Sequence, residues 1–349
     1  MVRTNSGPTA PVTVSIEGRV AEVRPNNISV CDGDLVRVID GAIVERIGIN
    51  SSARDLVEQD WWRLHRVLPN LKRRAAIESE LRAWFIERDF LMVRTPLLAA
   101  CPGLEVQLKA VEATVSGESR YLMTSPEFHM KRLLSAGIAK TAYLGPAFRD
   151  DETGHQHHTE FTMLEWYRAD AQPRDLMTDV EALVELATGT SRPWTTLTVA
   201  NALERYGTPT DDPDQVIRQL VETVEPALAK LGAVFLTEYP AALASLARLD
   251  PDNPLISQRF EAYIDGVELA NGFGELTDPA EQRARFEADL EARRAHGLAE
   301  YPMDERFLDA LSTGIPPCSG IALGVDRLVM LAVGATHIDD VVAFPPRIA

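Results

Sequence analysis

The sequence predicts an α+β fold, an antiparallel sheet flanked by helices with a small β module ahead of it. Short runs that alternate apolar with polar residues recur along the chain, and several close on two-residue turn signals such as Asp40-Gly41 and Asp265-Gly266. Apolar residues at helical spacing fill the stretches between them. The two kinds of segment do not alternate strictly, as a doubly wound parallel sheet would require, and no internal repeat is visible.

Composition bounds the function. A chain of 349 residues can bury a large core and divide into roughly two or three domains. Cys31, Cys101 and Cys318 are far apart and odd in number, so neither a disulfide framework nor a CxxC zinc site is expected, and a reducing cytoplasm is the expected location. No apolar run approaches the roughly 18 to 20 residues of a membrane span, and "MVRTNSGPTAPVTV" lacks the apolar core of a signal peptide. A net charge of −17 argues against a surface that wraps nucleic acid, which needs clustered Lys and Arg to displace counterions. The basic run "NLKRRAAIESELR" reads as a solvated helix face with i,i+4 pairs.

In chain order, residues 1–11 are polar and are expected to form a disordered tail. Residues 12–60 alternate and break at Pro25-Asn26-Asn27, Asp32-Gly33 and Asp40-Gly41, giving a β module too short for a complete OB-like barrel. Helical periodicity sets in near Asp60, where the main domain, residues 61–349, begins; Ile77, Leu81, Trp84 and Phe85 share one helix face. "FLMVRTPLLA" reads as a strand that ends before Pro96. Further strands fall on "RYLMTS", "TAYLGPAFR" and "TEFTMLEWYR", with a helix over "SPEFHMKRLLSAG" between the first two. Helices are expected at about 174–188, 213–231 and 279–296.

Three stretches place charge where core is expected. In "TEFTMLEWYR", alternation sets Phe161, Met163, Glu165 and Tyr167 on one face, so a carboxylate and a phenol either share a face with apolar neighbours or line a solvated one. In "SQRFEAYIDGVELANGFGELTD", a hairpin at Asp265-Gly266 pairs Ile264 with Val267, sets Glu261 opposite Ala270 and Tyr263 opposite Glu268, and brings Glu261 and Glu268 to one face. Two such carboxylates repel unless a cation lies between them; the alternative is an exposed acidic hairpin. Strict alternation turns Glu275 to the other face unless Gly272 or Gly274 supplies a bulge. In "CSGIALGVDRLVMLAVG", a strand runs into a helix starting near Val325, so Arg327 lies in its first turn, where the dipole favours anions. An arginine there expects an anionic ligand or a neighbouring carboxylate. His155, His157 and His158 crowd one loop, and spacing alone leaves a metal site open.

"FLMVRTPLL", "FRDDETGHQHHTEF" and "GIALGVDRL" resemble motifs 1, 2 and 3 of the class II aminoacyl-tRNA synthetases, in the lysine subgroup. "LMTSPEFHMKRLL", "EFTMLEWYR", "GVELANGFGELTD" and "CSGIALGVDRLVMLA" resemble the truncated lysyl-tRNA synthetase paralogs that modify elongation factor P. The likeness runs in order from about residue 62 to the C-terminus. It implies a class II catalytic domain that uses ATP and Mg²⁺ and dimerises through motif 1, with Pro96 at the contact. Arg149 is then expected on the α-phosphate, and Phe161 and Arg327 on the two faces of adenine. Asp151, His157, His158, Leu269 and Gly324 would complete the nucleotide site, and Glu261 and Glu268 would hold Mg²⁺. The terminal ammonium of a lysine-like substrate is expected against Glu275 and Tyr167, and its α or β amine near Ser125 and Glu127. Ala322 stands at the pocket floor where lysyl-tRNA synthetases carry glycine, and alanine there goes with a β-amino acid. On this resemblance adenine and phosphates, rather than zinc, are the expected neighbours of the histidines. Two departures stand out: the family's loop arginine followed by His-Asn-Pro is replaced by His155-Gln156-His157-His158-Thr159, and Asp151 stands where the family has Glu.

The implied chemistry has two steps. An amino-acid carboxylate attacks the α-phosphorus of ATP to give an acyl adenylate, and an acceptor then displaces AMP, with Arg149 and Arg327 as the catalytic cations. The β module is too small for a complete anticodon reader, so the expected acceptor is a lysine side chain of elongation factor P and not tRNA. The rival readings are a ligase that loads another carrier and an inactive paralog that senses lysine or nucleotide.

Overall fold

The computed structural model describes residues 2–4, 12–16, 19–24, 28, 35–48 and 56–346. The chain divides into two compact units, Met1–Ala76 with Ala335–Ala349, and Ile77–Gly334.

In the first unit β1 (Val2–Thr4), β2 (Val12–Ile16) and β3 (Arg19–Val23) form an antiparallel sheet, and β4 (Leu35–Ile39) and β5 (Ala42–Gly48) form a hairpin. Val2 pairs with Val14, so β1 is a strand within the stretch whose polarity predicted a disordered tail; residues 5–11 lie outside the described ones. Asp40 and Gly41 turn the hairpin with φ of 51° and 73°, the pair of positive values a type I′ turn requires. The turn signals Pro25-Asn26-Asn27 and Asp32-Gly33 lie outside the described residues. Val12, Val14, Val23 and Ile43 make a small core. Helix α1 (Leu56–Ile86) starts ahead of Asp60, and its Arg63 donates to the carbonyls of Asp339, Val342 and Ala343.

The second unit begins with β6 (Leu91–Val93), β7 (Leu98–Ala99), β8 (Glu112–Val115), β9 (Glu118–Leu122), α2 (Glu127–Ser135), β10 (Lys140–Phe148) and β11 (Glu160–Ala169). It continues through α3 (Pro173–Thr188), β12 (Trp194–Thr198), α4 (Val199–Tyr206), α5 (Pro213–Gln219), α6 (Glu225–Leu228) and β13 (Ala233–Pro240). It closes with β14 (Ile256–Ile264), β15 (Val267–Gly274), α7 (Pro279–Ala295), α8 (Glu305–Thr313), β16 (Cys318–Gly324) and α9 (Val325–Val333). Eight strands make the main sheet in the order β12-β13-β14-β15-β16-β11-β10-β6. Its interior is antiparallel, as expected, while the two outermost pairs, β12 with β13 and β6 with β10, are parallel. "FLMVRTPLLA" is shared between two sheets, because the chain leaves β6 before Pro96 and β7 joins β8 and β9. The helix expected over 213–231 is interrupted by a π-turn at Leu220–Val224. Pro226 follows it and has no N–H to return to the carbonyl of Glu222.

One face of the sheet is the core. Ile77, Leu81, Trp84 and Phe85 are buried, Phe85 meets Trp166 edge-on at 5.4 Å, and the Trp166 indole donates to Asp179 of α3 at 3.1 Å. Trp166 thereby fixes the parity of β11: its neighbours Glu165 and Tyr167 point to the opposite face.

Candidate active site

That opposite face is built by register. Glu165 of β11 is level with Tyr143 of β10 and Ala322 of β16, and Ala322 is level with Asn271 of β15. Tyr167 lies beside Gly320, where a side chain would collide with the Tyr167 ring and with Glu275.

The hairpin of β14 and β15 completes it. Asp265 and Gly266 turn with φ of 52° and 82°, Ile264 pairs with Val267 and Tyr263 with Glu268, as the turn signal predicts. Leu269 is then an extra residue, so Ala262 faces Ala270 and Glu261 faces Asn271, which corrects the expected pairing of Glu261 with Ala270. The same bulge settles Glu275. One added residue reverses the parity of everything after it, so Asn271, Phe273 and Glu275 join Glu261 and Glu268 on the open face. The glycines at 272 and 274 are not the source of the shift.

At one end lies a buried carboxylate trio. Ser125 Oγ donates to Glu165 Oε2 at 2.8 Å, the Tyr167 hydroxyl to Glu165 Oε1 at 2.7 Å, and the Glu127 N–H to Ser125 Oγ at 3.0 Å. Lys131, fully buried on α2, sets its Nζ 2.7 Å from Glu127 and 2.5 Å from Glu275. Burial, followed by the charge of Glu127, pushes Glu165 up to about 8. Burial also raises Glu275 against the downward pull of Lys131, while its two carboxylates outweigh desolvation and hold Lys131 above its ordinary value. The ammonium is therefore charged and spread over two carboxylates. Ser125, Glu127, Tyr167 and Glu275 thus come together, joined by Glu165 and Lys131, which sequence reasoning did not place in the site. Strand alternation did mark Glu165; Lys131, four residues after Glu127 on a helix, reads in sequence as an ordinary surface pair.

The other end is cationic. Arg149 lies 5.2 Å over the Phe161 ring, and its Nε is buried with no hydrogen-bond partner. Arg327 donates to the Glu268 carbonyl at 2.5 Å, stands 3.5 Å from the Glu268 carboxylate and meets His157 Nε2. Burial, then the Arg327 charge, lowers the His157 pKa, which keeps the ring neutral and able to accept. Asp326 accepts from the Thr162 N–H at 2.7 Å, pinning the start of α9 beside Phe161, and Gly324 is the residue that caps that helix. His158 is buried in the loop, and Asp151, with φ of 62°, pairs with Lys109 at 2.6 Å.

Between the ends stand the acidic residues of the hairpin. Glu261 accepts from the hydroxyls of Tyr239 and Tyr263, both at 2.6 Å, from Arg259 at 2.7 Å and from Asn271 at 3.3 Å. Burial, then the charge of Glu261, raises Glu268. Among the described residues no group of three or more His, Cys, Asp and Glu is placed to hold a metal ion by itself. Two carboxylates that repel one another still fit a cation shared with a ligand's phosphates. Glu268 is the freer ligand, and Glu261 can join only by releasing one of its donors.

A mainly antiparallel sheet with two arginines at one end of its open face and a carboxylate trio at the other fits a class II synthetase, an enzyme that activates an amino acid with a nucleotide. The model of the family "tRNA synthetases class II (D, K and N)" matches residues 59–347, and the chain belongs to that family. A relative from Vibrio cholerae serotype O1 is 39% identical over 312 residues, 80% of this chain and 96% of its own length. Another, from Salmonella paratyphi B, is 40% identical over 315 residues, 81% and 97% of the two chains. Both relatives carry the name elongation factor P–(R)-β-lysine ligase.

Proposed function

We propose that the chain is a ligase that activates (R)-β-lysine with ATP and transfers it to a lysine side chain of elongation factor P. The observation that carries this reading is the charge of the buried pocket. Three carboxylates, Glu127, Glu165 and Glu275, face one ammonium, Lys131, and once all three are ionised the two uncompensated negative charges fit an acid with two ammonium groups. Glu275 Oε1 is buried without a donor and can accept one of them.

The substrate's carboxylate is left for the arginine end. Arg149, with an unused Nε donor, holds the α-phosphate in line for attack, and Arg327 leaves His157 for the nucleotide. Catalysis is positioning and charge neutralisation. Bound Mg²⁺, held by Glu268 with Glu261, would neutralise the triphosphate and steady the departing pyrophosphate. The names of the relatives support elongation factor P as acceptor. The net charge of −17 supports a protein acceptor over tRNA. Exposed Leu91, Leu97 and Leu98, on both sides of Pro96, support a homodimer through this segment, which sedimentation at micromolar concentration tests. Among the described residues no helix is long and apolar enough to cross a membrane. The buried, unpaired Cys101 and Cys318 support a reducing compartment, the cytoplasm.

The test is amino-acid-dependent pyrophosphate exchange across a panel of amino acids, followed by mass spectrometry of elongation factor P incubated with enzyme, ATP and the best substrate. Exchange supported only by neutral side chains overturns the reading. A nucleotide or lysine sensor is favoured by one observation, the hold of His157 on Arg327. Ligand binding without exchange would select it.

A further inference from the structure

The second unit contains a cavity of about 360 Å³ whose wall carries four carboxylates, Glu105, Glu225, Glu261 and Asp289, against one arginine, Arg259. A smaller cleft that reaches Ser125 and Glu127 shares a single residue with it, Glu105. Glu105 therefore stands where the cavity meets the cleft that leads to Ser125 and Glu127 of the amino-acid pocket. Burial raises the Glu105 pKa most, followed by the charge of Glu127, with Asp289 adding to it and Arg149 opposing it. Although the residue as a whole is partly exposed, its Oε2 is buried and has no hydrogen-bond partner. Gly103, at φ of 124°, leaves room for it: a Cβ there would stand 2.8 Å from that oxygen. Apart from Glu261, which would hold Mg²⁺, the wall's Glu105, Glu225 and Asp289 suit a cationic side chain.

We propose that this cavity admits the ammonium of the acceptor lysine and that Glu105 is the base that takes its proton in the transfer step, an inference that rests on the ligase reading above. The acceptor R–NH₃⁺ gives one proton to the Glu105 carboxylate. The freed lone pair of nitrogen forms the C–N bond at the acyl carbon, and the bond from that carbon to the phosphate oxygen breaks with its electron pair going to AMP. The second proton shed by the nitrogen goes to the departing phosphate, leaving an amide, AMP and a protonated Glu105 that returns its proton to water. Burial, then the charge of Glu127, pushes Glu105 up to about 7, where a carboxylate both accepts and releases protons at neutral pH. Glu225 and Asp289, farther along the wall, attract the incoming ammonium.

The experiment forms the adenylate on wild type and on Glu105→Gln. It then offers each one elongation factor P, Nα-acetyl-lysine amide, or hydroxylamine, whose nitrogen is already neutral at pH 7. We expect transfer to both lysine acceptors to fall about 100-fold more than transfer to hydroxylamine, the scale of a lost general base. The deficit should shrink as pH rises from about 7 to about 9.5, where free amine becomes available. Asp289→Asn should raise KM for the lysine acceptors with a smaller change in kcat. Equal losses for lysine and hydroxylamine, or no loss for either, overturn the proposal. Wild-type labelling of acetyl-lysine amide but not of elongation factor P would keep the base and remove the partner; failure to form any adenylate would remove both.

Discussion

Ala322 sits on the open face level with Glu165 and Asn271, and on the proposed ligase reading its methyl group would set the depth of the pocket floor. Replacing it with glycine adds room for an amine on the α carbon, and one methyl in a substrate pocket discriminates by roughly 1 to 3 kcal/mol. Ala322→Gly should shift the ratio of kcat/KM for (R)-β-lysine over α-lysine about 10-fold toward α-lysine. A wild type that already prefers α-lysine, or a ratio unmoved by the substitution, would remove the methyl from the account of specificity. Lys131 makes a different demand. It is the only ammonium in contact with Glu127 and Glu275 among the described residues, and removing one partner of a buried pair costs about 3 kcal/mol or more. Lys131→Met should lower the urea midpoint accordingly; a change below about 1 kcal/mol would mean that the carboxylates simply take up protons instead.

The hairpin of β14 and β15 shows what could be seen in advance and what could not. Asp265-Gly266 announces its own turn, because type I′ geometry needs two residues that tolerate positive φ, and that information is local. The bulge at Leu269 has no such signature: a leucine looks the same in or out of register, and its place is decided by the cross-strand pairing of Tyr263 and Ala262. The facing of Glu275 was therefore beyond alternation alone, while that of Glu165 and Tyr167 was within it. The parallel edge pair of β12 and β13 was hidden for the same reason, since its partners meet only across the connection through α4, α5 and α6. Two tests act on this element. Gly266 has φ of 82°, and an added Cβ would come within 3.0 Å of the Ala229 Cβ and 3.1 Å of the Glu225 carbonyl. Gly266→Ala should cost about 1 to 2 kcal/mol in thermal or urea unfolding, and an unchanged midpoint would deny the strain. Glu268→Gln should raise the Mg²⁺ concentration needed for half-maximal exchange and slow turnover by about 3 kcal/mol of transition-state stabilisation; an unaltered Mg²⁺ dependence would remove Glu268 from the metal site.

For the molecule as a whole the dominant fact is negative charge, −17 in total, with a share of it buried. Burial leads the causes that push Glu105 and Glu225 up to about 7, Asp289 to about 6 and Glu165 to about 8. Each of these groups binds a proton in the folded chain at a pH where the unfolded chain has lost it. Stability therefore falls as pH rises from the unfolded values, 3.8 for the Asp and 4.5 for the Glu, through the folded values between about 6 and 8. His129 and His157 are lowered by burial and act in the opposite sense, but only below their unfolded value of 6.5. Above that pH the carboxylates alone set the slope. Tm of the free protein should fall between about pH 6.5 and 8.5, the interval in which Glu165 loses its proton. A diamino acid supplies the missing ammonium groups, so it should raise Tm more at about pH 8 than at about pH 6.5, where its binding must first expel protons. Thermal melts with and without (R)-β-lysine across that interval measure both effects. A free-protein Tm that is level or rises with pH would show that the trio is already neutralised from within, and a ligand shift independent of pH would mean that the substrate's ammonium groups bind somewhere other than Glu165.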